Sequence, residues 1–204
     1  MYIPEFFAEK DETKILAFMR EFNFATVISA KNELPFATHI PFIVEKRDTK
    51  IIISGHLAKA NEQWKQFDKV VLVIFRGPHA YISPILYLEP QNVPTWNYVA
   101  VHAYGTVKIF DEAENLALIE KQLEIFDLEY FQTMWREIPL ELKSNLAKGV
   151  VAFEIEVMEL QAKSKLNQNK PGKTAENVIE AFEQSDHENE RLIAEYMKEF
   201  HGTT

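Results

Sequence analysis

The chain of 204 residues contains no cysteine. That excludes disulfides, thiolate metal sites and cysteine nucleophiles, and it fits a reducing compartment. Long apolar runs are missing as well. Nothing approaches the roughly eighteen consecutive apolar residues that a membrane helix requires, so a soluble, cytoplasmic protein with no membrane partner is expected. The opening stretch MYIPEFFAEKDETK places acids at Glu5, Glu9, Asp11 and Glu12 and lacks a basic region followed by an apolar one. It does not read as a signal peptide. Positive charge is scarce: Lys and Arg total 22 against 31 Asp and Glu, a formal net charge of -9. Nucleic-acid binding depends largely on neutralising phosphates, so contact with DNA would need a local basic patch working against the average field. There is no P-loop, no Gly-x-Gly-x-x-Gly, no nucleophile elbow and no acid–base dyad, and no residue is expected to be catalytic.

What is present supports a packed α+β domain, with 47% hydrophobic and 26% charged residues. Asp11 reads as the cap of a helix carrying Ile15, Phe18, Met19 and Phe22 at helical spacing. Residues 24–30 read as a strand, and residues 35–45 as its return, with Pro35 and Pro41 arguing for an edge or a bulge. Residues 51–53 form a further strand, after which Leu57, Ala60, Trp64 and Phe67 fall at helical spacing. Residues 70–75, a short piece at 80–83 and residues 98–110 read as strands. Helices are expected over 111–126 and 140–148, then a strand over 150–158. A polar, locally basic stretch leads to helices over 174–182 and, opened by a capping box of Ser185 and Glu188, over 185–200. Five or six strands with several apolar on both faces suggest a small barrel covered by helices or by a second subunit.

Several constellations could carry chemistry. In Ser54–Asn61 a strand gives way at Gly55 to a helix, whose unpaired N–H groups and Lys59 could hold a phosphate; the residues by themselves favour an ordinary junction with a surface lysine. His79, Tyr81 and Ser83 share one face after Arg76-Gly77-Pro78, lining a cleft or wetting an edge strand. Trp96, Tyr98, Ala100 and His102 share a strand face suited to stacking a flat heterocycle or to a dimer interface. Lys163, Lys165, Lys170 and Lys173 could meet a cofactor phosphate or a nucleic-acid backbone, or lie in a solvated linker. His39, His56, His79 and His102 could bind metal or haem, but their spacing favours separately hydrogen-bonded side chains, and no metal site is expected.

Taken together, MYIP, GHLAKANEQW, GPHAYISP, VPTWNYVAVHAYG and KLNQNK, in that order from residue 1 to about residue 182, resemble the PaiB family. Its members are described as FMN-binding, negative transcriptional regulators with the split β-barrel of pyridoxamine-phosphate-oxidase-like flavoproteins. The resemblance implies an antiparallel split β-barrel with peripheral helices and a helical C-terminus. It implies an FMN-binding domain over 1–160, with a basic loop and helices over 161–204 packing on the barrel or on a dimer partner. It also implies a homodimer holding flavin, with Ser54, His56, Lys59 and Asn61 near the phosphate and Trp96, Asn97 and His102 near the ring or ribityl chain. His79 joins that set, and Lys165, Asn167, Gln168 and Asn169 of the late motif close it. The chain departs from the family pattern at Glu62 (usually Pro), Leu86 (Trp), Lys170 (Arg) and Ala162 (Gly). The change at Lys170 replaces a bidentate guanidinium by a point charge. The expected function is a flavin- or redox-sensing negative regulator, with DNA contact through the basic segment; the alternatives are a flavin-dependent oxidoreductase and a haem-binding protein.

Overall fold

The structure is a computed structural model that describes residues 1–88, 91–170 and 172–202. Among these residues seven strands form one sheet: β1 (Phe24–Lys31), β2 (Leu34–Pro41), β3 (Ile43–Arg47), β4 (Lys50–Ala58), β5 (Val71–Ile82), β6 (Thr95–Ile109) and β7 (Val150–Lys165). Their order is β2-β1-β5-β6-β7-β4-β3. The helices are α1 (Glu12–Glu21), α2 (Glu112–Phe126), the one-turn α3 (Leu128–Tyr130), α4 (Leu140–Ala147), α5 (Lys173–Glu183) and α6 (Glu188–His201). The expected α+β class holds. Pro35 and Pro41 sit where they cost least, on β2 at the margin of the sheet.

The chain divides into two compact units. One comprises Met1–Phe18, Arg76–Val101 and Gln161–Thr204; the other comprises Met19–Phe75 and His102–Leu160. The second unit holds an aromatic core in which Phe42, Phe75 and Phe153 are almost completely buried. The Phe67 and Phe153 rings meet edge-on at 4.9 Å, a geometry favoured by the ring quadrupoles. Here β4 curls back against the β2–β3 corner. A Cβ placed on Gly55 would lie 3.0 Å from the Phe42 ring and 3.2 Å from Ile40 Cδ1. Asp111 starts α2 with a full capping box, accepting from Ala113 N and Glu114 N while Glu114 accepts from Asp111 N. Asn115 then ties α2 to the sheet, accepting from Ala152 N and donating to Val150 O.

In the first unit α5 and α6 bury Val178, Ile179, Phe182, Ile193, Ala194 and Met197, the stripe expected of paired amphipathic helices. The N-terminal residues lie along the end of β7, through an antiparallel bridge of Ala8 with Lys163 and a bond from Glu9 N to Ala162 O.

Five local expectations are corrected. The single strand over 35–45 is two, because at Phe42 the chain leaves β1 and turns to pair with β4. No helix starts at Ser54–Lys59: β4 continues to Ala58, with Ser54, Gly55 and His56 opposite Glu154, Phe153 and Ala152 of β7. Of the helically spaced residues only Leu57 lies on β4, and the pattern beyond it yields no more than a 3-10 turn at Glu62–Gln66. Gly77-Pro78 does not break β5, which runs through it. The strand expected over 150–158 continues to Lys165, so the basic stretch is not a linker from its start. Finally, α6 begins at Glu188 behind His187, and Ser185 instead accepts from His187 N outside the helix.

Candidate functional site

The open face of the first unit is aromatic. Strand alternation places Trp96 and Tyr98 on one side of β6. The His79 ring stacks on Trp96 with centroids 5.9 Å apart and planes at 23°. Tyr81 meets the same indole edge-on at 5.9 Å. Trp96 is 51% and Tyr81 47% exposed, so these rings are available to a ligand rather than spent on the core. Arg76 Nη2 donates to His79 Nε2 at 2.7 Å, which requires a lone pair on that nitrogen and hence a neutral ring. Burial and the Arg76 charge both push the His79 pKa down, in agreement.

A cationic pair lies in the same unit. Lys163 and Lys165, two apart on β7, point to one side. Lys163 is only 7% exposed. Its Nζ donates to Tyr2 O at 3.2 Å and lies 5.1 Å from the Tyr98 ring, 5.7 Å from Phe7 and 5.8 Å from Tyr2. Lys165 donates to Thr95 Oγ1, and its ammonium is 5.9 Å from Phe7. Among the described residues neither ammonium has a carboxylate partner. Burial, then repulsion from Lys163, lowers the Lys165 pKa. Asn97 is wholly buried, with Nδ2 donating weakly to Met197 Sδ at 3.5 Å and Oδ1 left without a partner. Such an atom costs about 1–3 kcal/mol unless something meets it. Asn167 is also buried, with its amide directed at the Tyr87 hydroxyl, whose pKa burial raises and that contact lowers.

The remaining expected residues fall in the second unit, apart from Gln168 and the exposed Asn169 in the first. Ser54 is buried on β4 with Oγ unpartnered. His56 Nδ1 is 2.6 Å from Gln122 Oε1, so that nitrogen carries the proton and donates. The Lys59 side chain is exposed, while its backbone N donates to Gly149 O and its carbonyl accepts from Trp64 Nε1. Asn61 is engaged twice, capping Gln63 N at 3.0 Å and donating to Thr38 Oγ1 at 3.0 Å. His102 Nδ1 is buried with no partner, and burial lowers the pKa of its ring. The phosphate cradle expected at Ser54–Asn61 is therefore not formed as a helix start. The backbone there is consumed by strand pairing, and the 3-10 turn at Glu62–Gln66 is too short to replace it.

Thus the structure brings His79, Trp96, Asn97 and Lys165 into one unit and leaves Ser54, His56, Lys59, Asn61 and His102 in the other. Among the described residues no group of three His, Asp or Glu is arranged to hold a metal ion. Sequence reasoning missed Tyr2 and Phe7. Their contacts with Lys163 span some 160 positions, and only the apolar character of residues 2–7 hinted that this segment is pinned down.

The chain is similar to known proteins in sequence and in fold. Residues 1–159 match the family described as "Putative FMN-binding domain". The chain is 37% identical to the protease synthase and sporulation protein PAI 2 of Bacillus subtilis, over 98% of this chain and 97% of that one. An uncharacterized protein of Emericella nidulans is 28% identical over 80% of this chain and 81% of its own. Among solved structures, the flavocytochrome Anf3 of Azotobacter vinelandii superimposes with a TM-score of 0.62 at 15% identity, over 80% of this chain and 72% of that one. The FAD and heme binding protein of Mycobacterium smegmatis gives 0.59 at 11% identity, over 83% and 78%. At such identities these structures establish the shared fold alone, the split barrel expected from the sequence.

Proposed function

The chain belongs to the FMN-binding domain family, and on that premise we propose that it is an FMN-binding regulatory protein, cytoplasmic and homodimeric. The observation that carries the reading is the open stack of His79, Trp96 and Tyr81 in the unit that also holds the carboxylate-free lysines. A flat, anionic heterocycle is the ligand class this donor set fits. Trp96, His79 and Tyr81 offer ring faces, worth about 0.5–1.5 kcal/mol per aromatic pair beyond area burial. Arg76 adds a fixed positive charge. Bound FMN supplies reversible one- and two-electron redox chemistry. The chain's part is to orient the ring, keep His79 neutral and exclude water behind Trp96.

The homodimer is supported by exposed apolar side chains in the second unit: Met134, Leu140, Leu142 and Leu146 are each at least half exposed. DNA contact gains little support from the basic segment. Lys163 and Lys165 are held as described, Lys170 bonds Asn92 and lies 5.3 Å from the Tyr87 ring, and Lys173 is left exposed. No helix among the described residues is long and apolar enough to cross a membrane.

The test is spectrophotometry of the purified chain during titration with FMN, then with haemin, followed by addition of NAD(P)H. A flavin spectrum without turnover supports the regulator. Steady turnover contradicts it in favour of the oxidoreductase, and a Soret band without flavin binding contradicts it in favour of a haem protein.

A further inference from the structure

Lys163 presents a problem that the aromatic stack does not solve. Lys163 as a residue is 93% removed from solvent, and its ammonium is bonded to one backbone carbonyl and faced by three rings, with no carboxylate among the described residues to neutralise it. Other cations are paired with carboxylates, as Lys14 is with Glu199, Lys108 with Glu114, Lys198 with Glu183, and Arg47 with both Glu45 and Glu154. Cations without a carboxylate, such as Arg76, Lys170 and Lys173, are not themselves buried, and among the described residues Lys163 is the one charged side chain that is. One carbonyl and three ring faces replace only part of an ammonium's hydration, and a second cation on the same face of the strand adds repulsion. Among the described residues no acceptor meets the N–H groups not used by Tyr2 O and Thr95 Oγ1. Two positive charges and unused donors are complementary to a group of about two negative charges with several acceptor oxygens, which describes a phosphate monoester near pH 7.

We propose that Lys163 and Lys165 form an anion site for a phosphate monoester, roofed by Tyr2 and Phe7 of the N-terminal segment. The segment is anchored on either side of the roof. Met1 bonds the Gln161 side chain, and Ala8 and Glu9 pair with Lys163 and Ala162. Phe7 stands over both ammoniums, at 5.7 Å and 5.9 Å, so a bound phosphate is shielded from water on that side. The phosphate has two conceivable sources, the terminal group of FMN or a separate phosphorylated small molecule. The first rests on the flavin reading above; the second does not.

Isothermal titration of the full chain with FMN, riboflavin and inorganic phosphate separates them, in wild type and in Lys165→Met, with circular dichroism confirming that the variant is folded. Lys165 is the primary target because it is less buried than Lys163, and Lys163→Met serves as a second variant. If the source is FMN, Lys165→Met weakens FMN by about tenfold or more, the scale of a charged hydrogen bond, while riboflavin changes by less than about twofold. If the source is separate, wild type saturated with FMN still binds inorganic phosphate and the folded variant does not. Failure of both flavins to bind removes the flavin reading, and the phosphate titration then decides the site alone. Wild type that binds FMN no more tightly than riboflavin and binds no phosphate, or a folded Lys165→Met variant unchanged towards both, overturns the proposal.

Discussion

Gly105 illustrates how little room β6 leaves beside β7. A Cβ there would lie 2.4 Å from the Glu156 carbonyl oxygen and 2.6 Å from Ile155 Cγ2. The carbonyl is backbone and cannot swing aside, so Gly105→Ala is expected to cost at least the 1–3 kcal/mol or so typical of overpacking, read as a lowered urea midpoint. His102 predicts a pH effect. Burial holds its folded pKa below the ordinary 6.5, so on acidification the unfolded chain takes up the proton first. Its contribution to stability is therefore present above about pH 6.5 and lost as the pH falls from there towards the folded pKa. Urea midpoints measured between pH 7.5 and 5 should decline less steeply in His102→Gln than in wild type. An identical decline removes His102 from the effect. At Trp96, loss of the indole strips both His79 and Tyr81 of their ring partner. Trp96→Ala should weaken FMN by about tenfold, within the range of base–aromatic stacking, with the urea midpoint little changed because half of the side chain is already exposed.

At the scale of elements, what could be read from the sequence follows from where the periodicity is clean. Both α1, which follows Asp11, and α5 have one polar and one apolar face and stand where their spacing put them, as does α2, although it buries Asn115 and Gln122 beside Leu118. Replacing Asp111 with Ala removes the cap of α2 and should cost about 1 kcal/mol, observable as a fall in the thermal midpoint. Strand ends were harder. The sequence changes composition at Gly55, at Gly77-Pro78 and at Glu159, yet β4, β5 and β7 run through all three. Ladder pairing to neighbours distant in the chain outweighs local turn propensity there, and a single sequence carries no trace of those neighbours. The same blindness shaped the site. His79 and Trp96 were recognisable as candidates because each sits on an alternating face. The buried state of Lys163 was not, because it depends on Tyr2 and Phe7, which sequence order places far away.

For the whole molecule, charge and apolar surface pull in different directions. A net charge of -9 keeps copies apart and opposes nucleic acid, whereas the exposed leucines of α4 favour a partner surface. A homodimer reconciles the two if the apolar helices meet and the acids stay outside. Light scattering coupled to gel filtration should then report twice the 23.7 kDa of one chain; a single-chain mass across micromolar concentrations contradicts the dimer. The central claim is narrower: the chain takes FMN through the aromatic face of the first unit. The most direct measurement is quenching of FMN fluorescence on titration with the protein, in wild type and in Trp96→Ala side by side. The account predicts saturable quenching at one FMN per chain, with clearly weaker binding in the variant. No quenching in wild type, or identical curves for the two, contradicts it.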